Sequence, residues 1–562
     1  MQINRPSQIA IFFISLVVIL AGNHLLPLLD WDEANFGEIA REMVITGNYL
    51  EPQVAFEPFY EKPPLFFWLQ SISMHFFGIN EFSARLPVAL FGALTLLLIY
   101  RIGARETGHY FGIVWAIMYA GSLHFLYFKL GLIDPVFNYF IILSIYYLFK
   151  QEKLLQENQN ARSEALLVGL FAGIAVLIKG PVAVLIIGII WLVRLMFSNV
   201  STKKVIGLSL LSLFGGLFFL SLWIVPLMIS GKTAFFEAFF LYQLELAGGQ
   251  IEWHNQPWYY HLVALIIICF PASILCWPYL FKRYARAQAN WDFYMSSVFW
   301  VVLIVFSLVN TKIVHYSSLC WYPITYFAAQ LSYHQFTSKQ FVKRRYMGWG
   351  FLFIGGILAI ISLAVPIIMN SEELKTQIIS QIKDAFAIGQ ISTHVYWPIS
   401  LALIGGSFLI GCLVLSIFQL RRKGSSAWFW LLLLTFFFAQ AAYFFLLPKV
   451  TEHTQNRFVK KVEEIDKSKG LQYNLDFRTY AILFYGQFKP EDKKIVLKNG
   501  EVYTFKMPEK NMMNWATETS SKKINKDFYL WVKRADINLD STWQKKETYS
   551  GYTLYEKEAI RR

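Results

Sequence analysis

Long apolar runs, broken at intervals by short charged clusters, fill the first 448 of the 562 positions in this chain. A helix needs about 20 apolar residues to cross a bilayer, and about thirteen stretches approach that measure. They lie near positions 7–27, 86–104, 110–128, 134–149, 164–178, 180–197, 206–229, 259–281, 293–309, 313–334, 347–369, 396–418 and 427–447. The breaks between them alternate in charge. Arg101 with Arg105, Lys150 with Lys153, Lys203 with Lys204, Lys282-Arg283 with Arg286, Lys343-Arg344-Arg345 and Arg421-Arg422-Lys423 occupy every second break. The others are acidic, aromatic or mixed. Basic loops stay on the cytoplasmic side. The pattern therefore predicts an odd number of spans, a cytoplasmic N-terminus and an extracytoplasmic segment after Pro448. The first run lacks a small-residue cleavage site and reads as a retained span rather than a removed signal peptide.

Two stretches depart from this pattern. In the long loop 28–85, Phe36, Ile39, Ala40 and Met43 recur at helical spacing, which predicts an amphipathic helix lying on the membrane surface. Pro64 to Phe77 is rich in Phe, Trp and Leu but too short to span, and reads as a second interfacial helix started by Pro63-Pro64. The loop 230–258 is the other unusual external segment. Beyond residue 448 the character changes to charged, alternating sequence. Lys494 to Leu497, then Asn499-Gly500, then Val502 to Phe505 reads as a β-hairpin. The expected architecture is a polytopic α-helical membrane domain over 1–448 and a small soluble α/β domain over 449–562, without internal repeats.

Composition narrows the class. The chain is 56% hydrophobic and 16% charged, with mean hydropathy +0.42, against about 25% charged in ordinary soluble domains. A single soluble domain and a disordered chain are both excluded. The net charge of +14 does not indicate nucleic acid. The tail from Lys449 holds 23 Lys and Arg against 16 Asp and Glu, half of that excess, and much of the rest lies in loops that set orientation. Cys269, Cys276, Cys320 and Cys412 fall in apolar runs without metal spacing and read as buried small hydrophobes.

Ionisable residues near a bilayer cost about 2.5–3.5 kcal/mol each on insertion scales, so retained ones need a reason. Asp32, Glu33, Glu61, Lys62, Asp134, Lys179, His254 and Lys312 come from separate parts of the chain, yet the topology brings all of them to the external face. Asp32 and Glu33 suit either a helix N-terminus or a general base at the membrane surface. Glu61-Lys62 adjoins a rigid double proline. It reads as an interfacial ion pair or as a phosphate-binding cation beside a carboxylate that orients it or binds a metal. Asp134-Pro135 suits a helix start. Lys179-Gly180-Pro181 and the Lys312–Tyr316 turn offer cations that either snorkel or are aimed at a ligand. His254 reads as a solvated loop side chain or a metal ligand. Together, external cations and carboxylates at a lipid surface suit a phosphorylated amphiphile, with cations on a phosphate leaving group and a carboxylate activating a nucleophile.

Trp-Asp-Glu-Ala at 31–34, Glu-Ile-Ala-Arg-Glu-Met at 38–43, Glu-Lys-Pro-Pro-Leu at 61–65 and Asn-Glu-Phe-Ser-Ala-Arg-Leu-Pro at 80–87 resemble the first external loop of bacterial GT-C membrane glycosyltransferases. The resemblance is to the 4-amino-4-deoxy-L-arabinose lipid A transferase branch and, more distantly, to protein O-mannosyltransferases. Asp134-Pro135, Lys179-Gly180-Pro181 and Pro257 to Tyr260 fit the same pattern, and Leu-Phe-Tyr-Gly at 483–486 extends it to the tail. The resemblance implies a GT-C fold in the bacterial inner membrane and transfer of a sugar, with inversion, from a polyprenyl-phosphate donor to a lipid A-like acceptor at the periplasmic face. It implies catalytic carboxylates at Asp32, Glu33 and Asp134, with Asp32 foremost. Donor-phosphate contacts would come from Lys62, Lys179, Lys312 and Tyr316. Glu61 and His254 would be candidate ligands for a divalent ion, zinc, magnesium or manganese. No nucleotide is implied, consistent with the lack of a Gly-rich phosphate loop. Asn35 stands where relatives often carry an arginine, which removes one phosphate contact. Two other readings remain: the same chemistry on a protein or other surface glycan, and a lipid or solute transporter. Transporters favour paired repeats and midplane charges, whereas these charges collect at one face.

Overall fold

The computed structural model describes residues 4–198, 200–247, 256–284, 288–309, 312–338, 345–421, 427–465, 470–475, 477, 479–490, 494–496, 502–504, 527–533, 539, 541 and 543–557. The first 448 residues are almost wholly helical. In chain order the main helices are α1 (Arg5–Leu20), α2 (Asp32–Thr46), α3 (Leu65–Phe77), α4 (Glu81–Glu106), α5 (His109–Ala120), α6 (Ile133–Gln156), α7 (Arg162–Lys179) and α8 (Val182–Leu195). They are followed by α9 (Thr202–Ile229), α10 (Thr233–Ala247), α11 (Tyr260–Ile268), α12 (Trp291–Leu308), α13 (Trp321–Ser338), α14 (Arg345–Asn370), α15 (Ala402–Leu420) and α16 (Ala427–Ala441).

Helix is present at each of the thirteen apolar stretches, though those at 110–128, 259–281 and 313–334 are broken by turns. Six helices among the described residues are long and apolar enough to cross a membrane, or seven if α5 and the 3-10 turn Leu123–Lys129, bent by 75°, count as one span. The stretch 259–281 is divided into α11 and two short helical turns. The chain is thus a polytopic helical membrane protein.

Close approach explains part of the packing. α7 lies so near α9 that a Cβ on Gly169 would fall 1.7 Å from the carbonyl oxygen of Ser212, and that crossing demands glycine. At the end away from Asp32, Glu152 of α6 binds Arg194 of α8 through a two-point ion pair and accepts from Tyr294 Oη of α12 at 2.6 Å. All three side chains are buried, so three helices are pinned by one buried polar cluster. The four cysteines are buried free thiols, as their apolar surroundings predict.

α2 differs from the surface helix that its amphipathic face predicts. Every residue from Glu33 to Met43 is buried. α3 covers one side, and the turn Ala481–Tyr485 of the tail contributes to the same core, where Leu28, Ala34 and Ala40 join Phe458, Phe484 and Trp531. Part of the buried polar face of α2 is paired, while Asn35 Oδ1 and Glu42 Oε1 are buried without a hydrogen-bond partner among the described residues. Glu38 holds Arg41 at 2.6 and 2.7 Å, and Arg41 donates to the carbonyl of Phe488 at 2.6 Å. α3 leaves Ile72, Phe76 and Phe77 exposed, as an interfacial helix would.

α16 does not stop at the expected division at residue 448. It continues through a π-turn at Ala442–Leu446, a helical turn at Leu447–Thr451, a second π-turn at Glu452–Asn456 and the helix Arg457–Glu464. A proline in a helix clashes with the carbonyl four residues earlier. The wide turn ahead of Pro448 absorbs that clash and lets the helix run on. The tail then forms a four-stranded sheet of β1 (Gly470–Leu475), β2 (Asp527–Val532), β3 (Gln544–Tyr549) and β4 (Tyr552–Lys557), in the order β1-β2-β4-β3. β1 and β2 are parallel and the other pairs antiparallel. Lys494–Val496 pairs with Val502–Thr504 as the hairpin pattern predicts; its Asn499-Gly500 turn lies outside the described residues.

Candidate active site

The site begins at a strained turn. Trp31 adopts φ +95°, a sparsely populated conformation for a residue with a side chain, and α2 starts immediately after it. Asp30 anchors this turn by accepting from the backbone N–H groups of Trp31 at 3.1 Å and Tyr480 at 3.0 Å. Asp32 is therefore the first residue of α2 but not its cap. Its carboxylate turns toward His315, with Oδ2 at 3.4 Å from Nε2.

The same imidazole nitrogen lies 3.7 Å from Oδ2 of Asp134. The other oxygen of Asp134 binds the Lys179 ammonium. Asp32, His315, Asp134 and Lys179 thus form one continuous chain of polar side chains, drawn from α2, the segment before α13, α6 and the end of α7. The Lys179 ammonium also lies 4.7 Å from the centre of the Tyr316 ring. The charges of Lys62 and Lys179 both act on Asp32, and Tyr316 lies within reach of Asp134, Asp32 and Glu61.

Local structure fixes each member. His315 sits in the 3-10 turn Val314–Cys320. Three residues per turn put His315 and Ser318 on one face. One α-turn likewise separates Asp134 from Asn138. The two faces meet: Asn138 Nδ2 donates to Ser318 Oγ at 2.7 Å while Asp134 faces His315. Ser317 pairs with His261 Nδ1 at 3.1 Å from the other side. Lys179 is aimed by Gly180, whose φ of +97° and ψ of −167° are open essentially to glycine alone. The Glu61-Lys62 loop is held by Gln243 of α10, which donates to the Glu61 carbonyl at 3.1 Å.

A cavity of about 400 Å³ opens beside Asp32, walled by Leu29, Trp31, Leu130, Leu132, Ile313 and His315. The Asp32 side chain is 32% exposed and that of Asp134 only 3%. Asp32 is therefore the carboxylate that can meet a second substrate. Partial burial acts to raise its pKa, but the His315 hydrogen bond and the charges of His315, Lys62 and Lys179 outweigh burial and hold it below the ordinary carboxylate value.

Two predicted members play other parts. Glu33, expected beside Asp32 as a catalytic carboxylate, is 2% exposed and wholly engaged. Arg85 grips it at 2.6 and 2.8 Å, and the N–H groups of Gly131 and Leu29 donate to it at 2.5 and 2.8 Å. Adjacent helical residues point in different directions, so Glu33 braces the loop while Asp32 faces the cavity. Arg85 also donates to the carbonyls of Asn23, Leu26 and Pro27. Lys312 is buried, and its charge bears on His261; it does not line the cavity beside Asp32.

Glu61 lies 4.0 Å from Lys62, and His254 lies outside the described residues. Among the described residues no three His, Cys, Asp or Glu side chains converge as a metal site. Of the two expected ligands the described residues supply Glu61 alone, already beside a lysine.

Residues 61–229 match the family model described as dolichyl-phosphate-mannose-protein mannosyltransferase. The undecaprenyl phosphate-alpha-4-amino-4-deoxy-L-arabinose arabinosyl transferase of Photorhabdus laumondii is 23% identical over 424 residues, covering 74% of this chain and 73% of the relative. An uncharacterized protein of Aquifex aeolicus is 28% identical over 356 residues, covering 61% of this chain and 76% of that protein. The crystal structure of ArnT from Cupriavidus metallidurans bound to undecaprenyl phosphate superposes with a TM-score of 0.72 at 14% identity, covering 98% of both chains. At that identity the likeness is one of fold.

Proposed function

We propose that this chain, a polytopic membrane glycosyltransferase of the GT-C type that includes the aminoarabinose lipid A transferases and the protein mannosyltransferases, moves a sugar from a polyprenyl-phosphate donor to a lipid A-like glycolipid. The observation that carries the reading is the chain of polar side chains running from Lys179 through Asp134 and His315 to Asp32, with the Asp32 end open to a cavity. Cations stand at one end for a phosphate, and an ionised carboxylate stands at the other for a nucleophile. Relatives named for undecaprenyl-phosphate-linked aminoarabinose support the donor class.

In this reading the acceptor hydroxyl enters beside Asp32 and attacks the anomeric carbon from the side opposite the phosphate. The new C–O bond forms as the bond to the phosphate oxygen breaks, so the configuration inverts. The electron pair leaves with the phosphate, and the hydroxyl proton passes to Asp32. Lys62, Lys179 and the Tyr316 hydroxyl hold the phosphate and stabilise its growing charge. A phosphate of low basicity leaves without a general acid. Asp134 keeps Lys179 and His315 in register. The site faces the periplasm of a bacterial inner membrane, with the basic loops cytoplasmic. A divalent ion on Glu61 and His254 is a separable part of the proposal, tested by metal analysis of purified Glu61→Gln and His254→Ala; the steps above do not pass through it.

The experiment is mass spectrometry of the surface lipid and glycoprotein fractions from cells with and without the gene, beside cells carrying Asp32→Asn. A sugar-sized mass shift on the lipid that vanishes in both the deletion and Asp32→Asn is expected. The same shift on protein would move the acceptor to the protein class. Full transfer by a correctly inserted Asp32→Asn protein would refute the catalytic assignment.

A further inference from the structure

Along the length of α12, against the second half of α8, the two helices part to leave a cleft of about 650 Å³. Ile189 and Val193, one turn apart on α8, form one wall, with Phe197 just past its end; Trp300 and Ile304, one turn apart on α12, form the other. The cleft follows α12 from Phe293 to Leu308, about 22 Å at 1.5 Å per residue, which exceeds the roughly 15 Å depth of one leaflet. Trp300 and Ile304 are 36% and 54% exposed, so the apolar wall faces outward. At the mouth farthest from the site stand Lys282 and Arg283. Both are exposed, and among the described residues neither is paired with a carboxylate. The Lys282 ammonium lies 5.5 Å from the Tyr279 ring centre and 5.9 Å from that of Tyr284, which holds it near the cleft.

We propose that this cleft is a binding site for an anionic diacyl phospholipid, distinct from the donor and acceptor sites. Charge complementarity selects the occupant. An apolar channel of leaflet depth takes acyl chains, and two unpaired cations at headgroup level take a phosphodiester with net negative charge; a zwitterionic lipid brings no net charge for them. Basic pockets between helices on the side of the positive loops suit such lipids, and in that respect the inference rests on the orientation proposed above. The cleft also lies where it can matter to catalysis. α8 begins directly after Lys179-Gly180-Pro181, and α12 ends just before the Lys312–Tyr316 segment. A lipid wedged between them sets the spacing of two helices whose other ends carry Lys179 and His315.

The test uses the full-length protein in a neutral detergent, titrated with phosphatidylglycerol or with phosphatidylcholine of the same chains, and reads the thermal unfolding midpoint. Phosphatidylglycerol should raise the midpoint and phosphatidylcholine should not. A juxtamembrane cation contributes roughly fivefold in affinity, so Lys282→Gln with Arg283→Gln should weaken the phosphatidylglycerol response about 30-fold. Lys203→Gln with Lys204→Gln, cations of another loop on the same side, should leave it intact. Native mass spectrometry of the wild-type protein gives a second readout, with phosphatidylglycerol retained in preference to phosphatidylcholine. Equal responses to the two lipids, an undiminished response in the Lys282/Arg283 variant, or a midpoint shift reproduced by glycerol phosphate alone would each overturn the proposal. Because these are binding readouts, they stand or fall apart from the sugar-transfer reaction.

Discussion

Nε2 of His315 stands 3.4 Å from Oδ2 of Asp32, and this contact governs the charge of the carboxylate that faces the cavity. Partial burial alone would raise the Asp32 pKa; His315 leads the groups that bring it down. A depressed carboxylate stays ionised through the ordinary range near 3.9, and both its reactivity and its stabilising pairing are lost only as pH falls below that range. Replacing His315 by Asn removes the leading favourable influence and leaves burial in place. The acid limb of the pH profile of kcat/KM should then move to higher pH, with the protein still folded at neutral pH. An unmoved acid limb would show that His315 does not set the state of Asp32.

Arg85 and Glu33 form a buried two-point ion pair that also draws in three carbonyls of the loop before α2. Removing one partner of such a pair leaves an uncompensated buried charge, at a cost of about 3–5 kcal/mol. Arg85→Met should lower the thermal midpoint sharply. Arg85→Met combined with Glu33→Leu should recover much of that loss, since no charge is then stranded. The comparison of single and double variants by calorimetry checks this.

Lys62 is tied to Glu61 at 4.0 Å, whereas Lys179 is bound directly to Asp134. Hydrogen bonds to charged groups contribute about 1.5–3 kcal/mol. Lys62→Ala should therefore weaken binding of polyprenyl phosphate by about 10- to 150-fold with little effect on stability. Lys179→Ala should weaken binding and also destabilise the protein, because it strands the buried Asp134. Isothermal titration with the lipid phosphate, beside unfolding curves, separates the two.

Gly180 places Lys179 through a backbone geometry that a side chain resists. Gly180→Ala should cost about 1–3 kcal/mol and shift the lysine from its partner. A raised KM for the donor without a change in the acid limb of the pH profile is the expected kinetic signature.

Tyr485 links the tail to the catalytic loop. Its hydroxyl accepts from the N–H of Leu28 at 2.6 Å and donates to Glu81 at 3.0 Å. Tyr485→Phe leaves a buried N–H without its partner, a loss of about 1–3 kcal/mol. Hydrogen exchange at residues 28–31 should quicken in this variant, while amides in α12 should not respond.

Much of the site was legible in the sequence. Asp32, Lys62, Asp134 and Lys179 were exposed by the cost of charge beside a bilayer and by the alternation of basic loops, both of which act at the level of sequence. His315 was not singled out, although it lies between the two noted residues Lys312 and Tyr316. Its role depends on a 3-10 turn that brings position 315 against Asp134, and hydropathy does not distinguish such a turn from an apolar helix. Glu33 adjoins Asp32 in sequence, yet neighbours on a helix diverge, and its pairing with Arg85, brought near only by folding, is invisible to a local reading. The burial of α2 was illegible for a like reason. Phe488, whose carbonyl receives Arg41, lies more than 400 positions away, and local periodicity carries no information about it.

The unbroken helix from Ala427 to Glu464 has a mechanical consequence. A sheet joined through a pliant linker explores a volume and finds its dock by diffusion. Here the sheet is mounted on a shaft seated in the bilayer, and it also grips the turn that presents Asp32. Gln455 on that shaft accepts from the N–H of Asp30 at 3.0 Å, so the Asp30–Asp32 turn is fastened to the span itself, and a tilt of the one would be felt by the other.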